Sequence, residues 1–230
     1  MSPEFESSAV RLRRAALTHG LAGQAALAGE VVPRAKQFLL EAREIQLAAH
    51  RSGVPGGEVA KLRSDAVDIV IDALFLRAGP AAAELALVAT GGYGRAELCP
   101  LSDIDLLVLV PAHTPATQAL VESILYPLWD SGLKVGQSVR TVQECADYAK
   151  EDLHLRVALL ETRLLCGAPS LFNQIEAKVS EMLSGEAWRP LARSIVESQR
   201  KRREKAGGSA YLQEPDLKNG VGALRDVQGC

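Results

Sequence analysis

Two short apolar runs stand in the middle of the chain, at residues 85–89 and 104–110. Each has the length and the branched-aliphatic content of a buried β-strand, and turn-forming residues fill the stretch between them. A third segment, residues 132–141, alternates between polar and apolar positions in the manner of a further strand. The pattern therefore predicts a small mixed sheet at the centre of the chain.

The segments on both sides of these strands carry apolar residues at helical spacing. The predicted fold class is therefore α/β (α+β), with a small mixed sheet flanked by helical segments. We predict an N-terminal helical segment at 1–80, a core at 81–145 and a helical bundle segment at 146–230. The helical pattern covers residues 34–51, about 57–79, 115–130 and nearly all of 142–205.

Two charged patterns lie on predicted helices. Asp65, Asp68 and Asp72 recur at spacings that place them along one side of a helix, and no glycine turn is next to them. We interpret them as a solvated stripe without a metal role. The basic run at residues 200–205 could hold an acidic partner or phosphates, but we favour a solvated helix end stabilised by the helix dipole.

The composition gives no global attraction to nucleic acid or to anionic membranes, because the formal net charge of the 230 residues is −2. No apolar run approaches the twenty residues of a membrane-spanning helix, and no secretory signal pattern stands at the N-terminus. The four cysteines form no CxxC pair, and the four histidines stand apart from them. We therefore expect a cytoplasmic protein with reduced thiols and no zinc site, no nucleic-acid partner and no membrane contact.

An Asp-x-Asp opens the second apolar run. Successive side chains of a strand point to opposite faces, so Asp103 and Asp105 share one face, about 7 Å apart along the chain, while Ile104 points into the core. Two carboxylates at this spacing suit Mg²⁺, which completes its coordination shell with water and substrate phosphates. We predict that Asp103 and Asp105 are the catalytic, metal-binding residues.

A glycine pair follows the first strand. Gly91 and Gly92 allow a tight turn whose N–H groups can approach an anion such as a triphosphate at the start of a short helix. Arg95 either holds a phosphate or locks the loop onto a carboxylate. Ser102, which directly precedes the Asp-x-Asp, is a further candidate nucleotide-binding residue and could also cap the turn.

The string GGYGRAELCPLSDIDLLVL combines these elements in one order. It resembles the signature of the nucleotidyltransferase superfamily to which DNA polymerase β belongs, and is similar in particular to bacterial [protein-PII] uridylyltransferase/uridylyl-removing enzymes. The resemblance implies a polymerase-β-like fold. It also implies Mg²⁺-dependent transfer of UMP from UTP to a tyrosine of the PII signalling protein, with release of pyrophosphate.

Further segments extend the resemblance to a nucleotide site. Ser138 and Arg140 share one face of the third strand and could face the nucleotide, although Gln137 departs from the family pattern. That strand carries no Asp or Glu, whereas the superfamily often supplies a third carboxylate there. The stretch ALLETRLLCG resembles a family helix, on which Glu161 and Arg163 could reach toward the site, although ordinary helix-face contacts are the favoured interpretation.

The last segment, YLQEPDLKNGVGALRDVQ at residues 211–228, also resembles the family, with Ala223 in place of a glycine. The resemblance implies a loop that closes over the nucleotide, to which Lys218 and Arg225 contribute. The chain is expected to end before the family's metal-dependent HD and glutamine-sensing ACT domains. Without a His-Asp dyad, it is expected to transfer uridylyl groups and not to remove them.

Two alternatives remain open at this point. The turn and the Asp-x-Asp address phosphate and metal but do not select a base, so another nucleotide or another protein substrate fits them equally well. The second alternative is a catalytically silent nucleotide-binding or interaction fragment, because no third carboxylate is apparent.

Overall fold

The computed structural model describes residues 7–209, 211, 214 and 216–228. Leu212, Gln213 and Pro215 of the predicted closing loop lie outside these residues. The first elements are helical, as predicted. They are α1 (Ser8–Thr18), a 3₁₀ turn at Gly23–Leu27, α2 (Val31–Arg51), α3 (Gly56–Arg77) and a second 3₁₀ turn at Pro80–Glu84.

The centre of the molecule is a four-stranded sheet in the order β3-β2-β1-β4. Its strands are β1 (Ala86–Thr90), β2 (Ile104–Leu109), β3 (Val135–Arg140) and β4 (Thr162–Gly167). β1 pairs antiparallel with both β2 and β4, whereas β2 and β3 run parallel. The sheet is therefore mixed, and the predicted α/β (α+β) class is confirmed.

Helices connect and follow the strands. Two of them begin with capping boxes, in which Thr114 and Thr141 accept a hydrogen bond from the N–H three residues later. The helices are α4 (Gly91–Gly94), α5 (Pro115–Asp130), α6 (Val142–Glu151), α7 (Leu153–Ala158), α8 (Pro169–Leu183), α9 (Trp188–Lys205) and α10 (Leu224–Gln228).

The prediction that 142–205 is helical almost throughout is wrong at 162–167, which form β4. Every residue of β1 is buried, so the N–H and C=O groups on its second edge need partners, and β4 supplies them. This long-range pairing overrides the helical propensity of the local sequence. The predicted segments 1–80, 81–145 and 146–230 stay a prediction, although the sheet itself reaches past residue 145.

Each face of the sheet packs in its own hydrophobic core. Leu87 and Leu106 point into the larger core, together with buried residues of α2, α3 and α5. Their neighbours Val88 and Leu107 point to the other face, where residues of α6 and α8 cover them. Since Asp105 lies two residues before Leu107, it shares the face that the C-terminal helices cover.

None of the helices among the described residues is both long enough and apolar enough to cross a bilayer.

Candidate active site

Most of the predicted site residues lie at one end of the strands. β1 ends there, at Thr90, while β2, β3 and β4 begin there, because β1 is antiparallel to its neighbours and β3 is parallel to β2. Gly91, Asp105 and Glu161 therefore lie at the same end of three neighbouring strands. The topology thus brings residues together that stand far apart in the sequence.

The glycine turn follows β1 directly and opens the short helix α4. Gly91 has a φ of +58°, in the left-handed region where a side chain is strained. Gly94 is buried so closely that an added Cβ would lie 1.9 Å from the backbone oxygen of Glu161. The turn therefore needs glycine at position 91 for its conformation and at position 94 for its packing.

Asp103 and Asp105 are both exposed, whereas Ile104 between them is buried. Glycines make room for Asp105. A Cβ at Gly136 would be 3.4 Å from Oδ1 of Asp105, and a Cβ at Gly91 would be 3.7 Å from its Oδ2. The two carboxylates have the oxygen donors that a hard divalent cation prefers.

The pKa of Asp105 is raised, first by partial loss of hydration and then by the like charge of Asp103, while Lys218 opposes the shift. A bound cation would relieve this repulsion. No set of three or more His, Cys, Asp or Glu side chains suited to a metal gathers anywhere in the described part of the chain. A third carboxylate ligand stays unassigned.

Arg95 joins the turn to β4. Its Nε donates to Oε2 of Glu97 at 2.9 Å, and its NH1 donates to Oε2 of Glu161, which lies 66 positions later in the sequence. Of the two roles considered for Arg95, the structure contains the lock onto carboxylates. Glu161, expected to form an ordinary helix-face contact, instead binds this arginine and holds it in place. The sequence feature that could have indicated this position is the short apolar run that follows Glu161.

A second cluster supports the turn from α3. Arg163 contacts both carboxylate oxygens of Asp68, at 2.7 and 3.2 Å, and the hydroxyl of the buried Tyr93 donates to Oδ1 of Asp68 at 2.7 Å. The prediction of a solvated aspartate stripe is therefore wrong for Asp68, and the prediction of ordinary helix-face contacts is wrong for Arg163. Both residues acquire their partners only when β4 pairs with β1.

A cleft of about 770 Å³ opens beside the turn. Gly91, Arg95 and Glu161 form one wall of this cleft, and α7, α9 and Arg225 form the remainder. Lys205 of α9 adds positive charge to the lining, whereas Lys201 pairs with Glu197, which also lines the cleft. The volume falls within the range of small-molecule sites, and the charges suit an anionic ligand.

The segment 216–228 folds back toward this end of the strands. Lys218 lies close enough to Asp105 to affect its pKa. The segment is held by Asp226, which accepts hydrogen bonds from Arg202 at 2.5 Å, from Arg203 at 2.8 Å and from the Gly222 N–H at 3.0 Å. Thus Arg202 and Arg203 bind a buried carboxylate, and the prediction that the basic run is only a solvated helix end is wrong for them.

Three predicted nucleotide-binding residues lie away from this cleft. Ser138 and Arg140 lie on the same face of the sheet as Asp105, but they follow Gly136 along β3 toward the opposite end of the strands. There Arg140 donates to Ser138 Oγ at 2.7 Å, and its guanidinium stacks on the ring of Tyr148. Ser102 lines a different cleft, between α2, α3 and the loop that precedes β2. Their contact with a nucleotide stays a prediction.

Family models match two parts of the chain. One, described as a nucleotidyltransferase domain, covers residues 77–165, and one described as GlnD PII-uridylyltransferase covers residues 191–230. The first match contains the whole glycine turn, the Asp-x-Asp and most of β4. The chain therefore contains a nucleotidyltransferase domain around the described site.

Similar proteins carry the name bifunctional uridylyltransferase/uridylyl-removing enzyme. The protein from Azospirillum brasilense is 43% identical over 164 residues, which are 70% of this chain and 18% of the relative. The protein from Caulobacter vibrioides is 36% identical over 94% of this chain and 24% of the relative. The protein from a Bradyrhizobium species is 36% identical over 98% of this chain and 25% of the relative.

The chain thus spans about a quarter or less of the length of the relatives that it matches. The identity extends over nearly the whole of this chain and includes the elements that form the site. The chain belongs to the family of the bifunctional uridylyltransferase/uridylyl-removing enzymes.

Proposed function

We propose that this chain transfers UMP from UTP to a tyrosine hydroxyl of a PII signalling protein and releases pyrophosphate. The observation that carries the proposal is the position of Asp105 beside Gly91 of the glycine turn, because Gly91 also lines the cleft in which basic side chains outnumber acidic ones. The names of the relatives support the choice of UTP and of the PII protein. The reaction would take place in the cytoplasm.

In this proposal, Asp103 and Asp105 hold Mg²⁺. A cation held by these two carboxylates would supply positive charge that stabilises the leaving pyrophosphate. Asp105 fits this role because it has lost part of its hydration and lies near the like charge of Asp103, so that its carboxylate would gain from a bound cation.

The remaining residues would bind and orient the nucleotide. The N–H groups of Gly91 and Gly92 would contact the phosphates, since no side chain hinders the approach of an anion to the turn. Arg95, held by two glutamates, would contribute a fixed positive charge at the wall of the cleft. Lys218 and Arg225 would cover the triphosphate from the folded-back segment and exclude water.

The test is transfer of label from UTP carrying a labelled α-phosphate to purified PII protein in the presence of Mg²⁺. Asp105→Asn is expected to lower the rate at least about a hundredfold, because it removes charge that would hold the metal. The circular dichroism spectrum should stay unchanged, since the side chain is exposed. Asp130→Asn is the matched control, because Asp130 is also exposed but lies at the end of α5.

Near-normal transfer by Asp105→Asn would exclude the metal assignment. The base is tested by offering ATP, CTP and GTP in place of UTP. Transfer from ATP would redirect the proposal to adenylyl transfer on the same site. Nucleotide binding without transfer to the PII protein would support a binding module instead.

A further inference from the structure

A second cleft lies on the other side of the loop that carries the Asp-x-Asp. It has a volume of about 480 Å³ and is formed by α2, α3, the loop before β2 and the loop before β3. Leu101 and Ser102 belong to its wall, whereas Gly91, Arg95 and Arg225 line the first cleft. The two clefts therefore have separate linings, and no residue to which the proposed transfer reaction assigns a role lines the second one.

Four cations line this second cleft, and no acidic side chain does. They are Lys36 and Arg43 from α2, Arg63 from α3 and Lys134 from the loop before β3. None of the four forms an ion pair with any residue that the structure describes. In contrast, most arginines of the first cleft are bound by carboxylates. The second cleft thus carries a local excess of positive charge without an internal counterion.

Arg63 is the most constrained of these cations. Its Nε is buried and has no hydrogen-bond partner in the described structure, and its NH2 reaches only the carbonyl oxygen of Ser102, at 3.5 Å. Loss of hydration and the neighbouring Arg43 both lower its pKa. A guanidinium that has lost part of its water and faces a second guanidinium gains from an external anion.

The rest of the lining sets the size and shape of the occupant. Leu39, Leu40 and Leu133 form apolar parts of the wall, and Leu101 stands at the cleft with 87% of its surface exposed. Clefts of this volume bind small molecules rather than folded domains. Two planar guanidinium groups beside two ammonium groups match a multiply charged phosphate better than a single carboxylate.

We propose that this second cleft, lined by Lys36, Arg43, Arg63 and Lys134, is a binding site for a small phosphate-bearing ligand. The anionic group would lie between Arg43 and Arg63, where it would supply the missing counterion. An apolar part of the ligand would cover the leucines at the cleft. The site shares no lining residue with the cleft proposed for the nucleotide.

Inorganic phosphate is the probe, and Trp129 is a local reporter. The indole N–H of Trp129 donates to the carbonyl oxygen of Val135 at 3.4 Å, one residue beyond Lys134. With Trp188 replaced by phenylalanine, the fluorescence comes from Trp129 alone. We expect a saturable change on addition of phosphate at constant ionic strength, and a rise of about 4 °C in the thermal midpoint at ten times the dissociation constant.

Two substitutions test the lining. Arg63→Gln and Arg43→Gln should each weaken phosphate binding at least about tenfold, because each removes a charged hydrogen-bond donor. Arg51→Gln, an exposed charge at the end of the same α2 helix, is the matched control and should change affinity less than about twofold. Asp105→Asn should bind phosphate at this cleft as the parent chain does, whatever its effect on transfer.

Arg43 is exposed, so Arg43→Gln is expected to fold even if Arg63→Gln does not. Without phosphate its thermal midpoint should equal or exceed that of the parent chain, because a like-charge contact is relieved. Equal phosphate affinity in Arg43→Gln and the parent chain would overturn the proposal. An equal fluorescence change with chloride at the same ionic strength would overturn it as well.

Discussion

At the scale of single residues, the glycine turn shows two different reasons for the same amino acid. Gly94 is fixed by packing, since its added Cβ would lie 1.9 Å from the oxygen and 2.8 Å from the carbon of the Glu161 carbonyl group. At Gly92 an added Cβ would meet its nearest atoms at 3.6 and 3.7 Å, which is ordinary contact. The fold therefore constrains one of these glycines far more than the other.

We predict that Gly94→Ala destabilises the protein by about 3 kcal/mol or more, because the backbone of β4 would have to move to admit the methyl group. Urea unfolding followed by circular dichroism measures the change. Gly92→Ala is the control within the same helix and should cost less than about 1 kcal/mol. Equal stabilities of the two variants would contradict the packing seen between α4 and β4.

At the scale of elements, an ion pair joins α3 to β4. Asp68 and Arg163 are both partly buried, with 25% and 31% of their side chains exposed, and the Tyr93 hydroxyl completes the cluster. The exposed Lys61–Asp65 pair on the same helix has a similar shortest distance, 2.7 Å. The two pairs differ in solvent exposure and in whether they join two elements.

A double-mutant cycle with Asp68→Asn and Arg163→Gln should give a coupling energy of about 1–2 kcal/mol, below the value of a fully buried pair because solvent still reaches both groups. The cycle with Lys61→Gln and Asp65→Asn should give about 0.5 kcal/mol or less. Free energies of unfolding in urea supply both numbers. If the coupling energy of the Asp68–Arg163 pair is no larger than that of the Lys61–Asp65 pair, the Asp68–Arg163 contact does not hold α3 on β4.

The start of α6 has a pH-dependent cap. Glu144 accepts hydrogen bonds from the Thr141 N–H at 2.8 Å and from Thr141 Oγ1 at 3.1 Å, and its carboxylate also lies 2.7 Å from His113. The backbone hydrogen bond from Thr141 is the largest cause that lowers the pKa of Glu144, to about 2 from the usual 4.5. Because the folded pKa lies below the unfolded one, this stabilisation is complete above pH 4.5 and is lost as the pH falls toward 2.

We predict that Glu144→Gln lowers the thermal midpoint by about 2 °C at pH 7 and that the difference narrows below pH 4.5. Glutamine retains the acceptor oxygen, so the comparison isolates the charge. Scanning calorimetry at pH values between 7 and 3 measures the difference in thermal midpoint between Glu144→Gln and the parent chain. The control is Glu176→Gln, at an exposed position on α8, which should show no comparable pH trend. If the difference in thermal midpoint between Glu144→Gln and the parent chain stays constant down to pH 3, the charge of Glu144 is not its cause.

At the scale of the whole molecule, the sheet is shared by two cores. Leu106 and Leu107 are neighbours on β2, both 2% exposed, yet Leu106 packs with the N-terminal helices and Leu107 packs with the C-terminal ones. A strand that is buried on both faces couples the helices on either side of it. The helical segments should therefore not unfold independently of the sheet.

We predict that Leu106→Ala and Leu107→Ala each cost about 2–4 kcal/mol and shift one common unfolding transition. Single-tryptophan variants that keep only Trp129 at the end of α5, or only Trp188 at the start of α9, report the two sides of the sheet. Their urea midpoints should coincide in the parent chain and in both variants. Separate midpoints would show that the C-terminal helices unfold independently of the core that α5 shares with the N-terminal helices.

The sequence by itself determined the parts of this protein whose signals are local. The apolar runs of β1 and β2, the alternation of β3 and the periodicity of the long helices each repeat within a few residues, so pattern and propensity suffice to predict them. The glycine turn and the Asp-x-Asp are equally local. The order in which they occur was sufficient to indicate the nucleotidyltransferase domain.

Only the tertiary structure decided which distant residues meet. β4 forms because the edge of β1 needs hydrogen-bond partners, and this pairing brings Glu161 to Arg95 and places Arg163, 95 positions beyond Asp68, against that carboxylate. The contacts of Asp226 with Arg202 and Arg203 likewise depend on a segment folding back onto α9. Such contacts have no period along the chain, since their free energy arises only after remote segments have packed together.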